Sequence, residues 1–345
     1  MTIKYLRTIH LAMNLTCKMF FRPVFFLILL SLICPATGKA QQMPIYSQYT
    51  FNKFLLNPAA AGSDGYTSIS VVAREQWTGF EGAPKTHAIM VDSRILKNSY
   101  IEKEVSVRRK KRLSSRSGRV GWAAYVFDDR SDLLGRTGIE GTYSYHLKIN
   151  NAQLSLGLSG MFYQFRFDKG AIFTGDDEFD PAIDGVKGSV YVPDANLGIY
   201  YASANLYGGA SIMQLLQSSV QFGDTKGSDY EMKRQYNLMA GYLFSLGENI
   251  ILEPSFLMKM PTSARPQLDV TTRLVYKETY WGGLSYRTGN AFNIYLGARF
   301  DRLFFGYAFD YNFNSLMKYT YGSHEFMATL KFGENARRYR WLNPF

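Results

Sequence analysis

Cysteine is almost missing from this chain of 345 residues: the two present, Cys17 and Cys34, both fall within the first forty. A chain processed after residue 40 has none, which excludes disulfides, thiolate nucleophiles and cysteine metal sites together. Charged residues are scarce at 19%. Long apolar runs are also lacking, since Val24–Ile33 is about half the length a spanning helix needs. With a mean hydropathy of −0.16, a multi-span helical membrane protein is excluded. Histidine is rare, and His87, His146 and His324 show neither His-Glu-x-x-His nor paired spacing, so the sequence offers no zinc site. No glycine-rich phosphate loop precedes a helix. What is abundant is aromatic, with 25 Tyr and 25 Phe, which excludes a disordered chain.

The net charge of +11 is not spread evenly. Residues 1–40 hold five of the excess positive charges and residues 97–119 hold seven, which leaves the remainder at −1. A diffuse nucleic-acid surface is therefore not supported, and no nucleic-acid partner is expected. The second basic block contains Arg108, Arg109, Lys110, Lys111 and Arg112 without an intervening acid. It is a candidate docking segment for a periplasmic partner, against the plainer reading of a solvated turn.

Residues 1–40 read as a signal peptide: a basic stretch, then Val24–Ile33, then small residues around Gly38-Lys39-Ala40. The start is Met1, Met13 or Met19. Cys34 follows Leu32-Ile33 and precedes Pro35, which does not suit lipid attachment.

Beyond residue 62 the pattern has period two. Phe305, Tyr307, Phe309, Tyr311 and Phe313 share one face, opposite Gly306, Ala308, Asp310 and Asn312. Ile139, Tyr143, Tyr145, Leu147 and Ile149 oppose Glu140, Thr142, Ser144, His146 and Lys148. Such spacing specifies strands. Fourteen segments follow it, near 66–76, 85–95, 118–128, 136–149, 152–164, 193–203, 205–214, 235–246, 249–260, 265–277, 279–287, 290–300, 302–313 and 323–332. Most have about the ten residues that a tilted outer-membrane strand needs. Tight and long connections alternate along them, and 165–192 and 215–234 are the longest. One junction breaks the rule: the basic segment 97–117 joins the second and third strands on the short-turn, periplasmic side.

The predicted fold is therefore all-β: a transmembrane antiparallel outer-membrane barrel of about 14 strands with its aromatic face toward lipid and a polar lumen. The last strand should close against the first. A lysine at Phe309 should harm the barrel more than one at Ala308. The chain divides into a signal peptide (1–40), an N-terminal periplasmic or lumenal segment (41–62), the barrel (63–333) and a short basic tail (334–345). Pro58 should end any short helix within 47–56 at Asn57. Glu140, Ser144 and His146 share a face but lack a Gly-x-Ser-x-Gly elbow, and alternate residues of a strand share a face by default. Asp176, Asp177, Glu178, Asp180 and Asp184 form an acidic stretch without the twelve-residue calcium pattern. Neither cofactor nor metal is expected.

Several stretches occur in an order and spacing that carry a resemblance: Tyr46-Ser47-Gln48-Tyr49, then Asn57 and Pro58 through Gly62, then Arg74-Glu75-Gln76-Trp77 with Gly82 and Pro84. Tyr143 to Leu147, Pro193 to Asn196, Leu252 to Ser255 and Gly322 to Glu325 continue the series. The sequence resembles the PorP/SprF family of outer-membrane proteins of the type IX secretion system. Asn57, Pro58, Gly62, Gln76, Trp77, Gly82 and Pro84 are its family-motif positions. Two departures stand out: Ala60 occupies the family's aromatic position, and the insert at 107–116 is unusually basic. The resemblance implies a non-enzymatic role that docks or anchors a secreted substrate or surface adhesin, with a link to gliding motility. Its partners would be outer-membrane lipid and type IX secretion components. The alternative reading is a porin-like diffusion channel through the polar lumen.

Overall fold

Alternating sequences of this kind bury one face of each strand and expose the other, and they satisfy their backbone groups only by pairing laterally. The computed structural model describes residues 46–95, 119–131, 134–167, 188–221, 229–289, 291–313 and 318–332. Its strands are β1 (Thr67–Glu75), β2 (Lys85–Ile95), β3 (Val120–Ser131), β4 (Leu134–Ile149), β5 (Ala152–Phe167), β6 (Ser189–Ser203), β7 (Leu206–Met213), β8 (Ser219–Gln221) and β9 (Asp229–Glu231). They continue as β10 (Gln235–Tyr242), β11 (Phe244–Ser245), β12 (Ile250–Pro261), β13 (Gln267–Tyr276), β14 (Tyr280–Arg287), β15 (Ala291–Phe300), β16 (Leu303–Asn312) and β17 (Ser323–Phe332).

All pairings are antiparallel. β10 and β11 both pair with β12 and form one interrupted strand, while β8 and β9 pair only with each other. The remaining strands pair in chain order, and β17 closes on β1 with Thr67 opposite Phe332 and Glu75 opposite His324. The result is a closed barrel of 14 strands, as the periodicity predicts.

Connections at one end are tight, except the one between β2 and β3. Asn150 (φ 52°) and Asp301 (φ 55°) take the left-handed geometry that short hairpins require. This end also receives the start of β1 and the end of β17, and by the turn-length rule for outer-membrane barrels it faces the periplasm. The alternation of short and long connections is weaker than the sequence suggests. β3 and β4 extend until only residues 132–133 separate them, and β14 and β15 are joined by 288–290. The expected loop 215–234 contains the β8–β9 hairpin.

The outward face matches the expectation. Ile139, Tyr143, Phe305, Tyr311 and Phe326 are exposed, while Glu140, Ser144, Asp310 and Glu325 are buried inside. The inward face differs from it, because it is not uniformly polar. Tyr125, Phe127, Tyr163 and Phe165 line one wall of the lumen, and Trp281, Tyr295 and Phe304 line another. Ala308 is fully buried against that second group. A lysine there would enter an apolar cluster, so the expected tolerance at Ala308 relative to Phe309 does not hold.

Candidate functional site

A barrel of this size would leave open space along its axis, and here the chain's own N-terminal stretch occupies it. Ser47 sits beside Arg74, Asp310 and Glu325, near the ends of β1, β16 and β17 that lie away from the tight turns. Further along, Tyr49 OH lies 3.3 Å from both Ser255 Oγ and Thr271 Oγ1. Gly62 N–H donates to Asp92 Oδ1 (2.6 Å) near the periplasmic end of β2. Residues 47–62 therefore descend through the lumen before β1 begins. Tyr49, Phe54 and Asn57 through Ala61 are all buried.

Local sequence explains the path. Lys53–Leu55 make one 3-10 turn, and Asn57 is then extended (φ −150°, ψ 106°), as expected for a residue preceding Pro58. Asn57 Oδ1 accepts from Ala59 N–H at 3.0 Å, capping a second 3-10 turn that begins at Pro58. Its amide also donates to the Ile199 and Ala210 carbonyls, at 2.9 and 3.3 Å. Ser211 Oγ and Asn237 Nδ2 both donate to the Leu56 carbonyl. Backbone groups that would be stranded in a barrel interior are thus satisfied by the wall.

Close approach needs small residues on the wall. A Cβ at Gly157 would overlap the backbone of Pro58 and Ala59, and one at Gly198 would overlap Asn57 Oδ1. Gly62, at φ +67°, lies so near β3 that a side chain would meet Gly121 Cα at 2.8 Å.

The seat is also ionic. Arg74 bridges Asp310 (2.5 Å) and Glu325 (3.0 Å) and donates to Ser47 Oγ (2.7 Å). Glu325 in turn accepts the backbone N–H groups of Ser47 (2.8 Å) and Gln48 (3.1 Å). Nearby, Arg287 pairs with Asp269 at 3.2 Å. Lower in the lumen, Glu253 accepts from Arg273 and from Tyr207 OH, while Lys53 Nζ lies 3.8 Å from the Tyr207 ring centroid. Arg273 stacks over Phe51 at 5.0 Å. Buried charges of this kind persist only when paired and hydrogen-bonded, and most of these are. Between the segment and the wall there remains a cavity of about 40 Å³, lined by Tyr46, Asn52, Tyr125, Glu140, Asn237 and Lys259. That is room for a few waters.

The motif positions separate into two places. Asn57, Pro58 and Gly62 lie in the lumenal segment. Gln76, Trp77, Gly82 and Pro84 form the β1–β2 loop at the opposite end from the tight turns. There Gln76 N–H donates to the Pro84 carbonyl (2.9 Å), and Thr78 exchanges backbone hydrogen bonds with Tyr321 and Gly322. His146 contacts Ser144 and Ser155, and Ser144 Oγ donates to the Ala61 carbonyl (2.6 Å), so this serine secures the lumenal segment. Arg108 to Arg112 and the acidic stretch 176–184 lie outside the described residues. The sequence reading missed the wall partners Arg74, Glu253, Arg273, Asp310 and Glu325 as a group. Their signal was charged residues recurring on inward strand positions.

Among solved structures, the chain is similar to the Ralstonia pickettii toluene transporter TbuX. The TM-score is 0.42 at 10% identity, covering 81% of this chain and 91% of that one. It is also similar to the Acinetobacter baumannii outer membrane protein Omp33, with a TM-score of 0.42 at 8% identity and coverage of 78% and 100%. The translocator domain of the Neisseria meningitidis autotransporter NalP matches with a TM-score of 0.40 at 12% identity, covering 83% and 97%. No curated protein matches the chain. The family of type IX secretion system membrane proteins PorP/SprF matches residues 38–330, which span the lumenal segment and nearly the whole barrel. An outer-membrane barrel with this match over most of its length belongs to the PorP/SprF family of type IX secretion system membrane proteins.

Proposed function

We propose that this protein is a non-enzymatic outer-membrane anchor, which docks a secreted substrate or surface adhesin of type IX secretion and thereby serves gliding motility. The observation that carries the reading is the filled lumen. Residues 47–62 occupy the barrel axis through hydrogen bonds to β1, β2, β4, β6, β7, β10, β12, β13, β16 and β17, some of them to wall residues that are themselves ion-paired. A wall braced from within suits a rigid support better than a diffusion path. The basic segment 97–119 joins β2 to β3 at the periplasmic end, and its five adjacent bases suit a salt-sensitive contact with an acidic periplasmic partner.

Planar-bilayer recording separates this from the diffusion-channel alternative. The purified protein should carry no steady current, and a large ohmic conductance from it would refute the anchor reading. Affinity purification from outer membranes, with mass spectrometry of what is retained, identifies the docked chain.

A further inference from the structure

The register resolves the outward face of β1–β5 into rows. Val71, Ile89, Val126, Ile139 and Phe162 stand side by side as one apolar row. One step toward the outer end, the next row reads Ala73, His87, Asp128, Thr137 and Gln164. The row after that reads Glu75, Lys85, Arg130, Gly135 and Arg166. Polarity therefore changes abruptly where the apolar layer ends. At the outer ends of β14–β16 the comparable row is aromatic: Tyr286, Phe292 and Tyr311. That is the ordinary furnishing of a membrane interface. The β2–β5 side is basic instead.

Arg130 and Arg166 share one carboxylate, Asp128, at 2.6 and 3.1 Å, and Lys85 meets Glu75 at 3.3 Å. Three bases thus face two acids, with His87 beside them. Two guanidiniums carry ten N–H donors between them, far more than one carboxylate can use. An open groove of about 410 Å³ is lined by Gly82, Ala83, Lys85, His87, Asp128 and Arg130, and Arg166 stands beside it on the same Asp128 carboxylate.

We propose that this groove binds the phosphorylated headgroup of an outer-leaflet glycolipid, with Lys85, Arg130 and Arg166 on the phosphate and the acyl chains against Ile89, Val126, Ile139 and Phe162. Charge complementarity and continuity with the apolar row select a lipid over a free ion.

The test uses the full barrel in phosphatidylcholine nanodiscs and fluorescent lipid A as the probe. K85S/R130S/R166S should weaken binding about a hundredfold, at roughly fivefold per base. K148S/K277S/R302S, at the periplasmic end, should leave it unchanged. Heat-modifiable migration on gels reports folding of each variant. Independently of any variant, dephosphorylated lipid A should bind the unaltered protein no better than phosphatidylcholine does. Equal binding of the dephosphorylated probe overturns the proposal, as does full affinity in the folded triple variant. Loss in the periplasmic-end variant places the headgroup elsewhere and also overturns it. Complete displacement by millimolar inorganic phosphate assigns the groove to an ion and refutes the lipid.

Discussion

Arg74 is the side chain on which the lumenal seat depends most. Its guanidinium neutralises Asp310 and Glu325, both almost fully buried, and those carboxylates in turn hold Ser47 and Gln48. In R74M, Asp310 retains only Arg287, at 3.9 Å, and Glu325 has no cation within ion-pair distance among the described residues. Removing one partner of a buried ionic group costs about 3–5 kcal/mol, because the stranded charge cannot recover its hydration. The neutral triple variant R74M/D310N/E325Q strands no charge and keeps one oxygen at position 325 for the Ser47 N–H. It should recover most of the loss, and the non-additivity should itself reach a few kcal/mol. Urea unfolding in lipid vesicles, followed by heat-modifiable migration and fluorescence, measures all three. A single variant within about 1 kcal/mol of the parent, or a triple as unstable as the single, would refute this account of a desolvated ion triad.

Gly157→Leu should displace Pro58 and Ala59 and expose the lumenal segment. Limited proteolysis should then cut within 47–62, whereas an unchanged digestion pattern would mean the wall yields instead. Phe309→Lys, one row inside the interfacial Tyr311, should lose less than the about 2–4 kcal/mol of a lysine at mid-depth. Ala308→Lys should lose at least as much, by overpacking Trp281 and Phe304 and burying a charge, and the urea midpoints of the pair rank them. Replacing Arg108 to Arg112 by Ser should leave the barrel folded but weaken recovery of a periplasmic partner. Added salt should mimic that loss on the unaltered protein.

The barrel was legible because its outward residues obey one rule along each strand. Phe305, Tyr307, Phe309 and Tyr311 could not be placed on one side by any helix. The closing pair was legible for the same reason, since Phe326, Ala328, Leu330 and Phe332 alternate along the last strand. The lumen was harder to read. Tyr125, Phe127, Tyr163 and Phe165 point inward, yet in sequence they interleave with outward Val126 and Phe162, so local polarity does not mark the inner face. A segment that packs against the wall leaves its trace in the wall. Gly157 and Gly198 sit in strand interiors, where a glycine weakens the strand unless another backbone approaches. One sequence shows those glycines but not what comes near them. The β8–β9 hairpin has three-residue strands, too short for periodicity to register.

The pairing of Arg74 with Glu325 across the junction of β1 and β17 has a temporal consequence. Ser47 is synthesised 278 residues before the carboxylate that receives it. The Ser47–Gln48 end of the leading segment cannot be seated by the early strands alone, because its carboxylate partners arrive on β16 and β17. Contacts of such long sequence separation form late and slowly. The two free edges of the sheet and the entry segment must therefore find each other in one concluding event. A chain that stops before β17 keeps an open strand edge and an unlatched leading segment, and that edge is a template for pairing with another chain. Closure of the barrel and capture of its leading segment therefore share one requirement, the last strand.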